Sequence, residues 1–162
     1  MRWIRHLLLD DWQARRAFPR AVLASIAGAV AENEKRHRGE LRFVVEGGLP
    51  LGALLAGQSS RQRAVELFGR LGVWDTEDNA GVLVYLLLAD RRVEIVADRG
   101  IHARVGATAW ETICGQMQRA FAEGRFEQGA LLGLAAIGDL LAVHFPPLDE
   151  NPNELPDAPV VL

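Results

Sequence analysis

Acidic and amide side chains gather at a few points of this chain, and hard oxygen donors in such number suit Ca2+ or Mg2+. Asp75, Glu77, Asp78 and Asn79 stand almost side by side, Asp98, Arg99 and His102 form a second group, and Glu40 a third point. Asp75, Glu77 and Asn79 mimic the first three ligand positions of an EF-hand loop. Ala80, however, stands where that loop needs Gly, and Leu86 where it needs a bidentate Glu, so the motif is not an EF-hand. If a cation binds, Asp78 and Asp98 are the expected ligands. Without one, Arg99 pairs with Asp98 and the acidic loop is merely solvated. A separate group, Gly47, Gly48, Ser59, Ser60 and Arg61, offers N–H groups, two hydroxyls and a guanidinium, which either hold an anion or cap a helix.

Covalent and nucleotide chemistry leaves no trace. G-x-S-x-G, GxxxxGK[ST], G-x-G-x-x-G and H-E-x-x-H are all missing, and His6, His37 and His144 share no motif with a nucleophile. Cys114 is the only cysteine, which excludes an internal disulfide or a multi-cysteine metal site. It lies on an apolar helix stripe and reads as a core residue. No catalytic residue is assigned.

The elements that must position these groups follow from periodicity. Asp10 or Asp11 caps a short helix from Trp12 to Phe18, and Pro19 opens a second with Val22, Leu23, Ile26 and Val30 inward. Leu41–Glu46 alternates as a strand, and Gly81–Leu88, apolar on both faces, reads as the central strand. Between them Ser59 or Ser60 caps a crossover helix with Ala64, Leu67, Phe68 and Leu71 on one face. Val93–Asp98 pairs back through a turn at Ala89–Arg92, which places Asp98 opposite Leu83 and His102 opposite Asn79. Thr108 and Glu111 form a capping box for a helix with Trp110, Ile113, Cys114, Met117 and Phe121 inward. Phe126–Val143, apolar nearly all round, is expected to be the most buried helix. The result is an α/β fold, a three-layer α/β/α sandwich over a small mixed sheet with a parallel β-α-β unit and an antiparallel hairpin. That topology brings Glu40, Asp75, Asp78, Asn79, Asp98, Arg99 and His102 to one rim.

The chain has 162 residues and 49% hydrophobic content, enough for a real core. Three segments are expected: an N-terminal docking helix over 1–20, a body over 21–147, and an acidic, Pro-rich tail over 148–162. Arg2–Arg20 is basic and amphiphilic, which suits a membrane surface or, the reading preferred here, docking of Trp3, Ile4, Leu8 and Trp12 onto the core. The tail is either loose or adds Val160–Leu162 to a sheet edge. With 18 Lys+Arg against 21 Asp+Glu and four of the acids in the tail, the body is close to neutral, which argues against nucleic acid. Gly129–Val143 is interrupted by Asp139 and shorter than the ~20 residues of a membrane span, and Leu7–Leu9 is too short for a signal sequence. A cytoplasmic protein is therefore expected.

Taken together, Trp74–Asp90, Val93–Ile101 and the Phe121, Gly124, Phe126 and Gly129 pattern resemble the TPM domain family, named for thylakoid-lumen, photosystem II repair and levamisole-receptor-modulator proteins. The resemblance spans Ala21–Phe145 and implies an α/β/α sandwich, with acid phosphatase activity in some members and Ca2+ or other divalent ions in some. Two departures stand out. The family often has Asn before the Gly that opens the central strand, where this chain has Ala80, and Glu where this chain has His102 after Gly100–Ile101. Both take an oxygen ligand from the rim. The expected function is thus a non-enzymatic binding module working with a membrane-anchored TPM relative, peripheral to the inner membrane. The alternative is a divalent-metal-dependent acid phosphatase using Glu40, Asp78 and Asp98.

Overall fold

A computed structural model describes residues 2–8 and 11–162. Two short helices, α1 (Arg2–Leu8) and α2 (Asp11–Ala17), lead into α3 (Arg20–Glu34), for which Pro19 supplies the extended N-cap residue. Strand β1 (Glu40–Glu46), short α4 (Leu51–Leu55) and α5 (Ser60–Arg70) precede the central strand β2 (Gly81–Leu87). The hairpin strand β3 (Arg92–Ala97) runs into α6 (Arg99–Val105), followed by α7 (Ala107–Ala122), α8 (Phe126–His144) and β4 (Val160–Val161).

The sheet order is β3-β2-β1-β4, with β1 parallel to both β2 and β4 and β3 antiparallel to β2. Alternation along β1 sorts Leu41, Phe43 and Val45 onto the face covered by α3, α7 and α8, and Val44 onto the face covered by α4 and α5. The three-layer sandwich follows from those two apolar faces. Leu83, Tyr85, Leu87, Ile113, Phe121, Leu134 and Ile137 are all buried, as the periodicity requires.

Three expectations are corrected. The hairpin turn occupies Leu88–Arg91, with Arg91 at φ 52°, so Leu83 faces Val96 rather than Asp98. Asp98 lies instead beside Gly81, donating its N–H to that carbonyl at 2.9 Å, and His102 is carried off by α6. Thr108 and Glu111 do not make a capping box. Gly106, at φ 82°, ends α6 and starts α7 in one residue, leaving Thr108 inside the first turn. Helix α8 is not buried all round: Leu132 and Val143 are 56% and 75% exposed, while Gly129, Gly133, Leu134, Ile137 and Leu141 face inward.

By length and composition α8 is apolar enough to cross a membrane, because it starts at Phe126 rather than Gly129. Its inner face packs on α3 and α7. The fit to α3 is close: a Cβ at Gly138 would stand 1.9 Å from Asn33 Oδ1, and Asn33 Nδ2 donates to the Leu134 carbonyl at 2.7 Å.

The N-terminal residues do not dock as expected. Trp3, Ile4 and Trp12 are 46%, 58% and 61% exposed, and among the described residues the apolar side chains of this segment that enter the core are Ala14 and Phe18. Phe18 provides the hold. It meets Phe43, Phe121 and Phe126 with ring centroids 6.0, 6.2 and 5.5 Å away. Asp10 and the side chains of Leu8 and Asp11 lie outside the described residues.

Candidate functional site

The backbone does build the rim. Glu40 opens β1 opposite Gly81, the first residue of β2, and Asp98 bonds the Gly81 carbonyl from the other side. The loop before β2 is then pressed onto α6: Gly100 N donates to the Asn79 carbonyl at 3.0 Å. A Cβ on Gly100 would sit 2.6 Å from the Asn79 and Asp78 carbonyls. Asn79 itself turns the loop at φ 51°. Asp78, Asn79, Asp98 and Arg99 thus meet at one end of the sheet, with Glu40 in the adjacent row.

The carboxylates of Glu40 and Asp78 and one oxygen of Asp98 are already engaged. The two oxygens of buried Glu40 accept the N–H groups of Glu154 and Leu155, both at 3.1 Å. Asp78 Oδ2 lies 2.8 Å from Arg38 Nε, and that guanidinium sits against the Phe145 ring. Asp98 Oδ1 accepts from Arg99 N at 2.7 Å and caps α6, so the expected side-chain pairing of Asp98 with Arg99 gives way to a main-chain bond. Asp75, Glu77, Arg99 and His102 point to solvent, and Glu77 N donates to the Glu154 carboxylate at 3.2 Å. Ala80 is buried, its N–H bonded to Thr76 Oγ1. Among the described residues no three His, Cys, Asp or Glu side chains surround a common point. As they stand, the rim carboxylates do not fit the divalent ion that the resemblance implies.

The second partner of the rim was hidden in the tail. Asn151 Nδ2 donates to the carbonyls of Glu34 and His37, and Arg42 Nη1 donates to those of Pro156 and Ala158. Val160 and Val161 then pair with Val44 and Val45, and Gly47 N closes on the Leu162 carbonyl. Residues 151–162 therefore run along the whole outer edge of β1. Beneath them burial pushes the Glu34 carboxyl up to about 9 and raises Glu40, while His37 is lowered to about 4 and stays neutral. Polar residues in so Pro-rich a tail read as loose; the terminal Val-Val-Leu was the one legible signal.

At the opposite rim Ser59, Ser60 and Arg61, the residues expected to hold an anion, come together but are spent. Ser59 and Gln62 form a reciprocal capping box, Ser60 Oγ donates to Glu94 at 2.6 Å, and Arg61 bonds the Ile95 carbonyl. The Glu94 carboxylate beside Ser60 repels an anion. Beneath them lies a network the sequence did not reveal. Arg63 grips Glu46 with Nη2 and Nε at 2.7 and 3.0 Å, and Tyr85 OH donates to Glu46 Oε2 at 2.6 Å. Its members are mutually satisfied, which marks a structural rather than a reactive cluster. Burial lifts the Cys114 thiol to about 11, so it carries little thiolate at neutral pH.

A mixed sheet between two helical layers, with an acidic loop, a capped helix and a strand start meeting at one end, defines a small α/β/α sandwich. The chain belongs to the TPM domain family, which it matches over residues 15–140. Among solved structures it is similar to the BA42 protein from the psychrophilic bacterium Bizionia argentinensis. There the identity is 28% and the TM-score 0.77, over 88% of this chain and 93% of that one. It also shares its fold with the N-terminal domain of a protein from P. gingivalis, at 21% identity and TM-score 0.58, over 75% of this chain and 76% of that one. No curated protein matches it in sequence.

Proposed function

We propose that this chain is a non-enzymatic binding module that docks on a membrane-anchored partner of the same family, at the cytoplasmic face of the inner membrane. The observation that carries this reading is the apolar face of α1, where Trp3, Ile4 and Leu7 are 46%, 58% and 65% exposed. Positions i, i+1 and i+4 share one side of a helix, so the three form a continuous stripe. His6 orients that stripe outward. Its Nδ1 accepts from Leu49 N and its Nε2 donates to Asp90 Oδ1, each at 2.9 Å, so α1 is tied to the body by its inner side. The engagement of Glu40, Asp78 and Asp98 within the protein favours binding over metal-assisted hydrolysis.

The test is sedimentation of purified protein with inner-membrane vesicles, the same vesicles stripped by protease, and protein-free liposomes. Saturable binding to intact vesicles alone, lost in Ile4→Asp/Leu7→Asp, is expected. Binding equal on liposomes, or untouched by the double substitution, overturns the reading.

A further inference from the structure

A cavity of about 420 Å3 opens between α2, the β2–β3 turn and the α7–α8 junction. It lies beyond the carboxyl end of β2, where strands in parallel pairing leave room for ligands. Leu86, Leu88, Phe121 and Phe126 supply apolar walls, and Ala17 of α2 faces them. Phe121 and Phe126 are stacked with centroids 5.7 Å apart, so that wall is aromatic. A volume in this range suits a small organic ligand.

Three polar side chains line it, Gln13 of α2, Arg91 and Gln118, and Arg91 is the cationic one. Arg91 lines the cavity from the turn, its backbone held at φ 52°, and its guanidinium has no hydrogen bond or ion pair among the described residues. A non-glycine residue in that left-handed region is uncommon and is found more often at functional turns. Gln118 Oε1 accepts from Val93 N at 3.0 Å, which fixes the amide and leaves its NH2 group as a donor. Among the described residues no Asp or Glu lines the cavity, and neighbouring Asp90 is bonded to His6. Two donors, one cationic, at the edge of an apolar chamber form a receptor for an anion with a hydrophobic body.

We propose that this cavity binds an amphipathic monocarboxylate, its carboxylate on Arg91 and the Gln118 amide and its alkyl or aryl body against Phe121 and Phe126. This site is independent of the α1 face. Calorimetric titration of the full chain with octanoate and phenylbutyrate, with octanol and acetate as controls, tests it. Saturable binding of at least one amphipathic acid is expected, with both controls much weaker and amide shifts at Leu86, Leu88 and Phe126. Arg91→Gln should raise the dissociation constant by roughly tenfold or more, the loss of one charge-assisted contact. Arg91→Lys should retain most of the affinity. Arg91→Gly, which suits the turn backbone, should repeat the Gln result if folding of the Gln variant is in question. Octanol binding as tightly as octanoate, an unchanged constant in both neutral variants, or no saturation by either acid at millimolar concentration overturns the proposal.

Discussion

The two ends of the molecule are attached in opposite ways. The N-terminal segment is rich in Trp, Ile and Leu, yet among its described residues it meets the body at the His6 hydrogen bonds and at Ala14 and Phe18, while the α1 stripe faces outward. The C-terminal segment is acidic and Pro-rich, yet a series of main-chain bonds holds it along β1 from Glu40 to Gly47. Burial of apolar area is non-directional, so it holds a segment only where a complementary surface exists. An open sheet edge, by contrast, offers a ladder of directed donors and acceptors to any extended chain, and it must be covered in some way. Here the tail covers it, with Arg42 and Glu40 supplying the contacts that prolines cannot make.

The largest expected effect separates anchor from stripe at the N-terminal end. Phe18→Ala should cost about 3–5 kcal/mol in chemical denaturation, because it opens a void among three other rings. Trp3→Ala and Ile4→Ala should stay within about 0.5 kcal/mol, as exposed positions do. A large loss at Trp3 would show that α1 is packed on the body after all, and the contrast between the two ends would fail.

At the other end the decisive residue is Glu40. Glu40→Ala removes the carboxylate that receives two tail amides, and about 2 kcal/mol should be lost. Amide exchange at Glu154 and Leu155 should become rapid in the same variant. If those amides stay protected, Arg42 and the β4 pairing hold the tail alone.

A smaller effect depends on pH. The Glu34 pKa is raised to about 9 in the folded protein from an ordinary 4.5, so its contribution is greatest below pH 4.5 and is lost as pH rises through 9. His37 runs the other way, lowered to about 4 from 6.5, so its penalty appears only as pH falls below 6.5. Between pH 7 and 9 the slope therefore belongs to Glu34, with Glu40 shifted in the same direction. Stability should fall there by up to about 1.4 kcal/mol per pH unit. Glu34→Gln, which still accepts from Leu41 N, should flatten that slope in melts across the range. An unchanged slope would mean that Glu34 is ionised beneath the tail.

What could be read in the chain divides along the same line. The alternation of Leu41–Glu46, the all-apolar Gly81–Leu88 run and the stripes of α5 and α7 are local patterns, and they led to the layers and strand directions. The hairpin register was off because Arg91 takes a left-handed conformation that nothing in an Arg-Arg pair announces. Helix α6 is seven residues with Gly100 in its first turn, so only the Asp98 cap and Gly106 stop marked it. The rim was legible as a meeting place of backbone but not as a set of available ligands. Asp78 is taken by Arg38, and Glu40 by tail amides more than a hundred residues away. Side-chain satisfaction is a tertiary property, and composition does not report it.

The smallest expected effect tests that closure directly. Ca2+ at the rim would have to draw Asp78 from Arg38 and Glu40 from the tail amides, so binding would set the ion against contacts already made. At a hundred times its dissociation constant a bound ion adds about 2.7 kcal/mol. For a domain of this size that is a rise of several degrees in Tm. With millimolar Ca2+ or Mg2+ the melting point should instead match a NaCl control of equal ionic strength, since screening is then the whole effect. A rise of several degrees, erased by Asp78→Asn, would mean that the ion wins this competition. The tail would then be a displaceable cover over a metal site, and the binding-module reading would lose the support it draws from the engaged carboxylates.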